Sequence, residues 1–282
     1  MPDKSTATGF STNAARHPEG ANPTSRRAEA GTAAARILRE SSKILDCFSA
    51  ETPRLHTSEI IRRTGVPPSI LTEMLRTLVE ENLLQREGVF YSVALRVFRW
   101  SASADAASDL MTAARPSVTA LRDRTGECCG LQVRRGGDHL TVVWKNCMHT
   151  VAHHGYVGQM KPLHGSAAGK VFMAYEPSAL SLVLDEGLTA FTPMTVIEPA
   201  TLQRQLEQVR MQGWTFSGEE QELGLNTLAA PVYAADGNVA AAVTLGGPAH
   251  RLTPARVEDL AGPVTECALG ISRFLATSMI AD

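Results

Sequence analysis

The run LHTSEIIRRTGVPPSILTEMLRTLVEENLLQREGVFYSV, from Leu55 to Val93, constrains the fold of this chain more than any other segment. Thr57 can cap a short helix carrying Ile60 and Ile61, and Gly65 stands where a helix end favours a left-handed residue. Val66 and two prolines then make a turn; Pro68 suits a first helical turn, where its missing N–H costs nothing. Leu71, Met74, Leu75, Leu78 and Val79 next fall on one face of an α-helix, with Ser69, Thr72, Glu73 and Arg76 on the opposite stripe. Leu83 to Arg86 and Val89 to Val93 flank Glu87-Gly88 as the two arms of a hairpin. So short a helix cannot bury its apolar stripe alone, so a preceding helix, Ile37 to Phe48, is expected to complete a three-helix core. Helix, turn, helix and β-wing in that order outline a winged DNA-binding domain.

The chain continues far beyond this module. Its 282 residues suffice for two ordinary domains, and hydrophobic and charged fractions of 44% and 20% are those of a globular protein. No apolar run approaches a membrane span, and residues 1–35 lack the contiguous apolar core of a secretory signal. We expect a disordered N-terminal tail there, a cytoplasmic location and no membrane partner. Five cysteines form no disulfide-scaffold pattern, which fits reduced thiols.

A net charge of −2 excludes nucleic-acid binding by bulk basicity. From Arg36 to Glu87, eight basic residues are balanced by eight acidic ones, so any DNA footprint is local or multiplied by oligomerisation.

Ala94 to Arg115 reads as a linker helix, broken near Ser101 to Ala107. Beyond Pro116 a helix from Val118 to Thr125 is expected, then strands at Cys128 to Val133 and His139 to Lys145 around a glycine turn. Helices follow at Gly165 to Tyr175, Ser178 to Glu186 and Pro199 to Gln212. A hairpin spans Asn226 to Tyr233 and Asn238 to Leu245 with Asp236-Gly237 at its turn, and Pro231 places its strand at an edge or bulge. A last helix opens at Thr253-Pro254 and carries Val257, Leu260, Val264, Ala268, Ile271 and Leu275 inward.

From about Arg36 to Leu275 the chain resembles the IclR family of bacterial transcriptional regulators. The resemblance rests on SEIIRRTGVPPSILTEMLRTLVEENLL, on PLHGSAAGKVFMA, on EEQELGLNTLAAPV followed by ADGNVAAAVTLGGP, and on RLTPARVEDL. It implies an α+β chain with a winged helix-turn-helix domain at 36–95 and a linker helix at 96–115 used in dimerisation. A GAF-like effector-binding and oligomerisation domain would occupy 116–282. The implied partners are a double-stranded DNA operator, a small organic-acid-like effector and further copies of the chain, as dimer or tetramer. No cofactor, metal or catalytic residue is implied.

By this resemblance Ser69, Thr72, Glu73 and Arg76 face the major groove, with Thr57 and Arg86 near phosphates. Pro68 stands where a lysine is common in the family and Glu73 where an arginine is common, and both subtract positive charge from the docking face. A glutamate there can accept from a cytosine amino group but repels phosphates. The effector pocket is expected to include Ala167, Ala168, Ser217, Thr227, Thr244 and Gly246. Ser217 replaces a frequent acidic residue, Thr227 a frequent cysteine and Gly246 a frequent serine, which points to a larger or more apolar ligand such as an aromatic acid.

Enzymatic readings of PLHGSAAGK are weak. Its glycines miss the phosphate-loop spacing, Val171 replaces the magnesium-binding hydroxyl, and no G-x-S-x-G surrounds Ser166. Cys147, His149, His153, His154 and His164 lie close in sequence without a recognised ligand pattern, so they are expected to be surface or core residues. The leading expectation is an effector-responsive regulator, repressor or activator; the alternative is a ligand-binding or oligomerisation protein with weakened DNA binding.

Overall fold

The computed structural model describes residues 35–150 and 152–278, so the expected tail at 1–35 lies almost wholly outside the described residues. The first unit contains helix α1 (35–45), strand β1 (Leu55–His56), helices α2 (Thr57–Thr64) and α3 (Pro68–Glu80), and strands β2 (Leu84–Glu87) and β3 (Phe90–Val93). The strands form an antiparallel sheet in the order β1-β3-β2. Ile44, Ile60, Leu71, Leu75 and Leu84 close one core between the helices and this sheet. Gly65 ends α2 at φ 67°, its N–H donating to the Ile61 carbonyl. The expected cap at Thr57 is displaced by one residue. His56 pairs with Phe90 and is the last extended residue, so its Nδ1 accepts from Ser58 N at 3.2 Å and Thr57 becomes the first helical position. Arg63, in the last turn of α2, donates to the Cys47 carbonyl at 2.9 Å and pins the turn between α1 and β1.

Helices α4 (Arg96–Ala106) and α5 (Asp109–Thr125) follow. The break lies at Ala107-Ser108, just beyond its expected place, because the Ser108 hydroxyl caps α5 by accepting from Met111 N. The helix expected to start at Val118 instead begins at Asp109 and runs through Pro116 to Gly126. Pro116 costs one helical hydrogen bond, but Ala113, Ala114, Val118 and Leu121 are buried on one stripe across it, and that packing keeps the helix continuous. A boundary at 115/116 therefore falls inside a helix.

The remainder is a six-stranded antiparallel sheet in the order β6-β5-β4-β9-β8-β7. Its strands are β4 (Cys128–Arg135), β5 (Asp138–Lys145), β6 (Met160–Pro162), β7 (Thr215–Gly218), β8 (Leu225–Tyr233) and β9 (Val239–Pro248); the sequence reading did not include β6 or β7. Its helices are α6 (Ala167–Tyr175), α7 (Pro177–Glu186), α8 (Pro199–Gln212) and α9 (Pro254–Ser278). Side chains alternate between the faces of a strand. Leu131, Val143, Leu228, Val243 and Leu245 pack under α5 and α9, whereas Ala229 and Ala242 meet Val171, Phe172, Leu202 and Leu206 of α6 and α8. Pro231 has only β9 beside it, because the β7 ladder ends at Ala229, and a register irregularity follows at Val232/Tyr233. Among the described residues no helix is long and apolar enough to cross a membrane.

The tightest backbone approach is at Gly169, where a Cβ would lie 1.8 Å from the Leu163 carbonyl oxygen. Gly169→Ala is expected to destabilise by about 3 kcal/mol or more, since rigid backbone rather than a movable side chain blocks the methyl group. Gly270→Ala, which meets nothing within 4 Å on the exposed side of α9, is expected to be neutral or stabilising by up to about 1 kcal/mol. Denaturant unfolding of the two variants tests the contrast.

Candidate functional site

The register of the sheet builds a cavity. Cys128, Gly246, Thr227 and Ser217 form one row across four strands, and Gly130 pairs with Thr244 in the next. All these residues project from the face that carries α6. An irregularity between Leu131 and Gln132 brings Thr141 opposite Gln132, with Val142 as the extra residue of β5. That slip returns Thr141 and His139 to the same face as Gln132. Beyond the start of α6 this face lines a cavity of about 40 Å³. On a scale where one water needs roughly 10–15 Å³, this is room for about three water-sized groups.

All six expected pocket residues, Ala167, Ala168, Ser217, Thr227, Thr244 and Gly246, line this one cavity. Ser166 caps α6, its hydroxyl accepting from Gly169 N at 3.0 Å, and the Ser217 hydroxyl donates to the Gly165 carbonyl at 3.2 Å. The neighbouring buried pair, Lys170 of α6 donating to Glu220, ties that helix to the loop after β7.

The sequence reading missed the polar half of the wall, formed by Gln132, His139, Thr141, His153, Gln159, Lys161 and Gln221, with Trp144 beside them. Strand alternation could have revealed Gln132, but the irregularity hides the parity of His139 and Thr141. The wall thus carries more polar groups than the six residues taken from the resemblance suggest. Relative to the family pattern a carboxylate is absent at Ser217, but an ammonium and several hydrogen-bonding groups converge instead.

Several of these groups have no partner. Gln132 Oε1 and both ring nitrogens of His139 and of His153 are buried without hydrogen bonds among the described residues. Burial, reinforced by the Lys161 charge, lowers His139 and His153 to about 3, so both rings are neutral at pH 7. Burial also lowers the Lys161 ammonium, against the pull of Glu222 and Glu51. Trp144 packs edge-on against His153 at 5.0 Å, in space kept open by Gly130 and Gly155, where a Cβ would strike its ring.

The residues expected on the DNA side occupy a separate surface. Ser69, Thr72, Glu73 and Arg76 are exposed on α3, Arg86 is exposed on β2, and Thr57 is half-buried at the start of α2. Many cations of this unit are paired internally. Arg76 meets Glu80 at 2.8 Å, Arg62 and Arg63 meet Glu59, and Arg54 meets Glu87 at the wing. Arg86 donates to the Gly88 carbonyl, and its guanidinium lies 5.7 Å from the centre of the Tyr91 ring. Exposed pairs of this kind contribute about 0–1 kcal/mol each, so phosphates can replace the partners at little cost.

The buried histidines set a pH dependence. Their folded values lie below the ordinary 6.5, so their stabilisation is present above about pH 6.5 and is lost as pH falls toward 3. Unfolding free energy is expected to fall below pH 6.5 by up to about 1.4 kcal/mol per pH unit for each histidine. His139→Gln is expected to flatten that slope, measured by urea unfolding between pH 7 and 5.

Comparison with known proteins identifies the family. Residues 103–273 match the domain described as bacterial transcriptional regulator IclR C-terminal, and residues 41–88 match the IclR helix-turn-helix domain. The HTH-type transcriptional repressor AllR of Escherichia coli K12 is 29% identical over 245 residues, covering 86% of this chain and 90% of that protein. An IclR transcriptional regulator from Alicyclobacillus acidocaldarius shares the fold at a TM-score of 0.78 and 24% identity, covering 85% of this chain and 98% of its own. An IclR homologue from Microbacterium hydrocarbonoxydans, solved in complex with 4-hydroxybenzoate, shares it at a TM-score of 0.73 and 22% identity, covering 86% and 99%. With a DNA-reading module followed by a matching second domain, the chain belongs to the IclR family of DNA-binding bacterial transcriptional regulators, not to an enzyme family.

Proposed function

We propose that the chain is an effector-responsive regulator in which a small polar carboxylate, bound in the cavity above α6, alters operator binding. The observation that carries this reading is the set of buried, unpartnered hydrogen-bonding atoms of Gln132, His139 and His153 around that cavity. Leaving such atoms unsatisfied costs about 1–3 kcal/mol apiece, an expense a ligand recovers when it pairs them. Lys161 supplies an ammonium and Ala167 and Ala168 bring the start of α6 to the cavity, a combination that suits a carboxylate. Gln132 Oε1 is an acceptor, so the ligand carries a donor as well. A hydroxy or amide-bearing acid of few atoms fits better than a plain benzoate. Ala167, Ala168, Ser217, Thr227, Thr244 and Gly246 form the floor beneath it.

The reading head is α3 with the wing. Ser69, Thr72, Glu73 and Arg76 face base edges, and Thr57 and Arg86 approach phosphates. Two such heads, paired in a dimer or tetramer, meet a two-fold operator in the cytoplasm. The coupling is a population shift, in which the ligand favours one arrangement of the second domain and so one spacing of the heads. Tyr156 and Val157 support a route for it. They follow the pocket residue His153 and lie against Ser49, Glu51 and Phe48 of the first unit.

Thermal shift decides the ligand class. A matching hydroxy or amide acid at a hundredfold excess over Kd is expected to raise Tm by about 5 °C or more, and Gln132→Ala to abolish the rise. Stabilisation by benzoates alone would sink the polar-acid assignment. For the reading head, Glu73→Arg is expected to tighten operator binding several-fold and steepen its salt dependence by about one unit. Arg86→Ala is expected to weaken binding evenly across sequences. Binding titrations at several salt concentrations check both, and an unchanged slope for either variant would remove that residue from the interface.

A further inference from the structure

The five cysteines do not share one environment. Cys47 lies in the first unit, while Cys129 projects into the apolar core under α5 and α9, with Cys267 packed against that core. Cys128 points to the opposite face. It stands in the row of Gly246, Thr227 and Ser217 that floors the cavity, and its sulfur meets the segment that follows β5. That sulfur accepts from Cys147 N at 3.0 Å and donates to the His153 carbonyl at 3.3 Å. The Cys147 thiol stands beside it and donates to the His149 carbonyl at 3.5 Å. A single thiol thus fastens both ends of a segment whose residue His153 is a wall of the cavity.

We propose that Cys128 and Cys147 are an oxidisable dithiol, a modification site at the rim of the cavity that closes to an intrachain disulfide on exposure to a peroxide. Cys147 is partly exposed and takes the oxidant first, whereas Cys128 is buried behind it. The peroxide transfers one oxygen to Cys147 Sγ, giving a sulfenic acid and one water. Cys128 Sγ then attacks that sulfur, the S–S bond forms as the S–O bond breaks, and the hydroxyl leaves with the Cys128 proton as a second water. Two thiols are oxidised and one peroxide is reduced, so atoms and electrons balance.

Local charge supports the order of events. Burial holds the Cys128 thiol up, at about 11, so it is protonated at rest and resists the oxidant itself, and it attacks in the second step only as its proton is lost. The Arg251 guanidinium lies near both cysteines and is also bound to the Glu127 carboxylate. Cys129 has no such setting, because burial in the apolar core pushes its thiol far up and its sulfur donates to the Glu127 carbonyl.

The disulfide has a structural consequence. It removes the S–H that holds the His153 carbonyl, while drawing Cys147 tighter to β4. The wall carrying His153 is released on the side where its ring meets Trp144. The cross-link stands whether or not the cavity binds an acid; only its effect on ligand binding rests on that reading.

The test uses the full chain, reduced, desalted and treated with hydrogen peroxide. Peptide mapping with fragment-ion assignment is expected to show a Cys128–Cys147 cross-link that dithiothreitol reverses, with Cys129 and Cys267 still thiols. The emission of Trp144 is expected to shift on oxidation, and the shift to vanish in Trp144→Phe. Cys147→Ser, whose wild-type circular dichroism serves as a folding check, is expected to form no intrachain cross-link. A cross-link through another pair, retention of both thiols under conditions that oxidise free cysteine, or a Cys147 that proceeds to sulfinic acid without engaging Cys128 would overturn the proposal. Ligand titrations before and after oxidation then separate the two readings, since a cross-link without any ligand response leaves the dithiol intact and refutes only the effector.

Discussion

The second half of this protein depends on the two-residue period of its sheet. One face is sealed by α5 and α9 over Leu131, Val143, Leu228, Val243 and Leu245, which is apolar burial of the ordinary kind. The opposite face is divided. Where α6 and α8 cover it, the inward residues are alanines, Ala229 and Ala242, small enough for close helix packing. Where the helices end, the same parity presents Gln132, His139, Thr141, Thr227 and Thr244. Polar residues on an inward face are costly unless something pairs with them, and several here have no partner in the protein. The site is thus a gap left in the packing of an otherwise complete core.

The start of α6 sets the edge of that gap. Gly169 brings the helix backbone against Leu163, Ser166 caps it, and Lys170 reaches the buried Glu220 in the loop beyond β7. Thr192 and Thr195 in turn donate to the Glu220 carbonyl. Removing one member of a buried charged pair costs about 3–5 kcal/mol, because the other charge is left without a partner. The pair therefore acts as a positional clamp, and the pocket floor inherits its precision from residues that do not line it.

Much of this organisation was legible in the chain. Apolar spacing located α3, the glycines at 65 and 126 ended helices, and Asp236-Gly237 turned a hairpin, because each depends on local backbone preference. The six pocket residues taken from family resemblance lie together, although two sites of the same kind could differ entirely in their remaining walls. What stayed hidden depended on pairing. His56 rather than Thr57 caps α2 because of its partner strand, Pro116 sits within a helix because tertiary packing outweighs its penalty, and a single irregularity in β5 decides which way His139 and Thr141 point. None of these can be read from spacing along one segment.

The internal ion pairs of the winged unit carry one more consequence. A surface whose arginines are already satisfied by Glu59, Glu80 and Glu87 gains little from a phosphate placed at random, since each contact only trades one partner for another. With the proposed reading head, binding to arbitrary DNA would therefore gain little from these arginines, and discrimination would rest on contacts to bases.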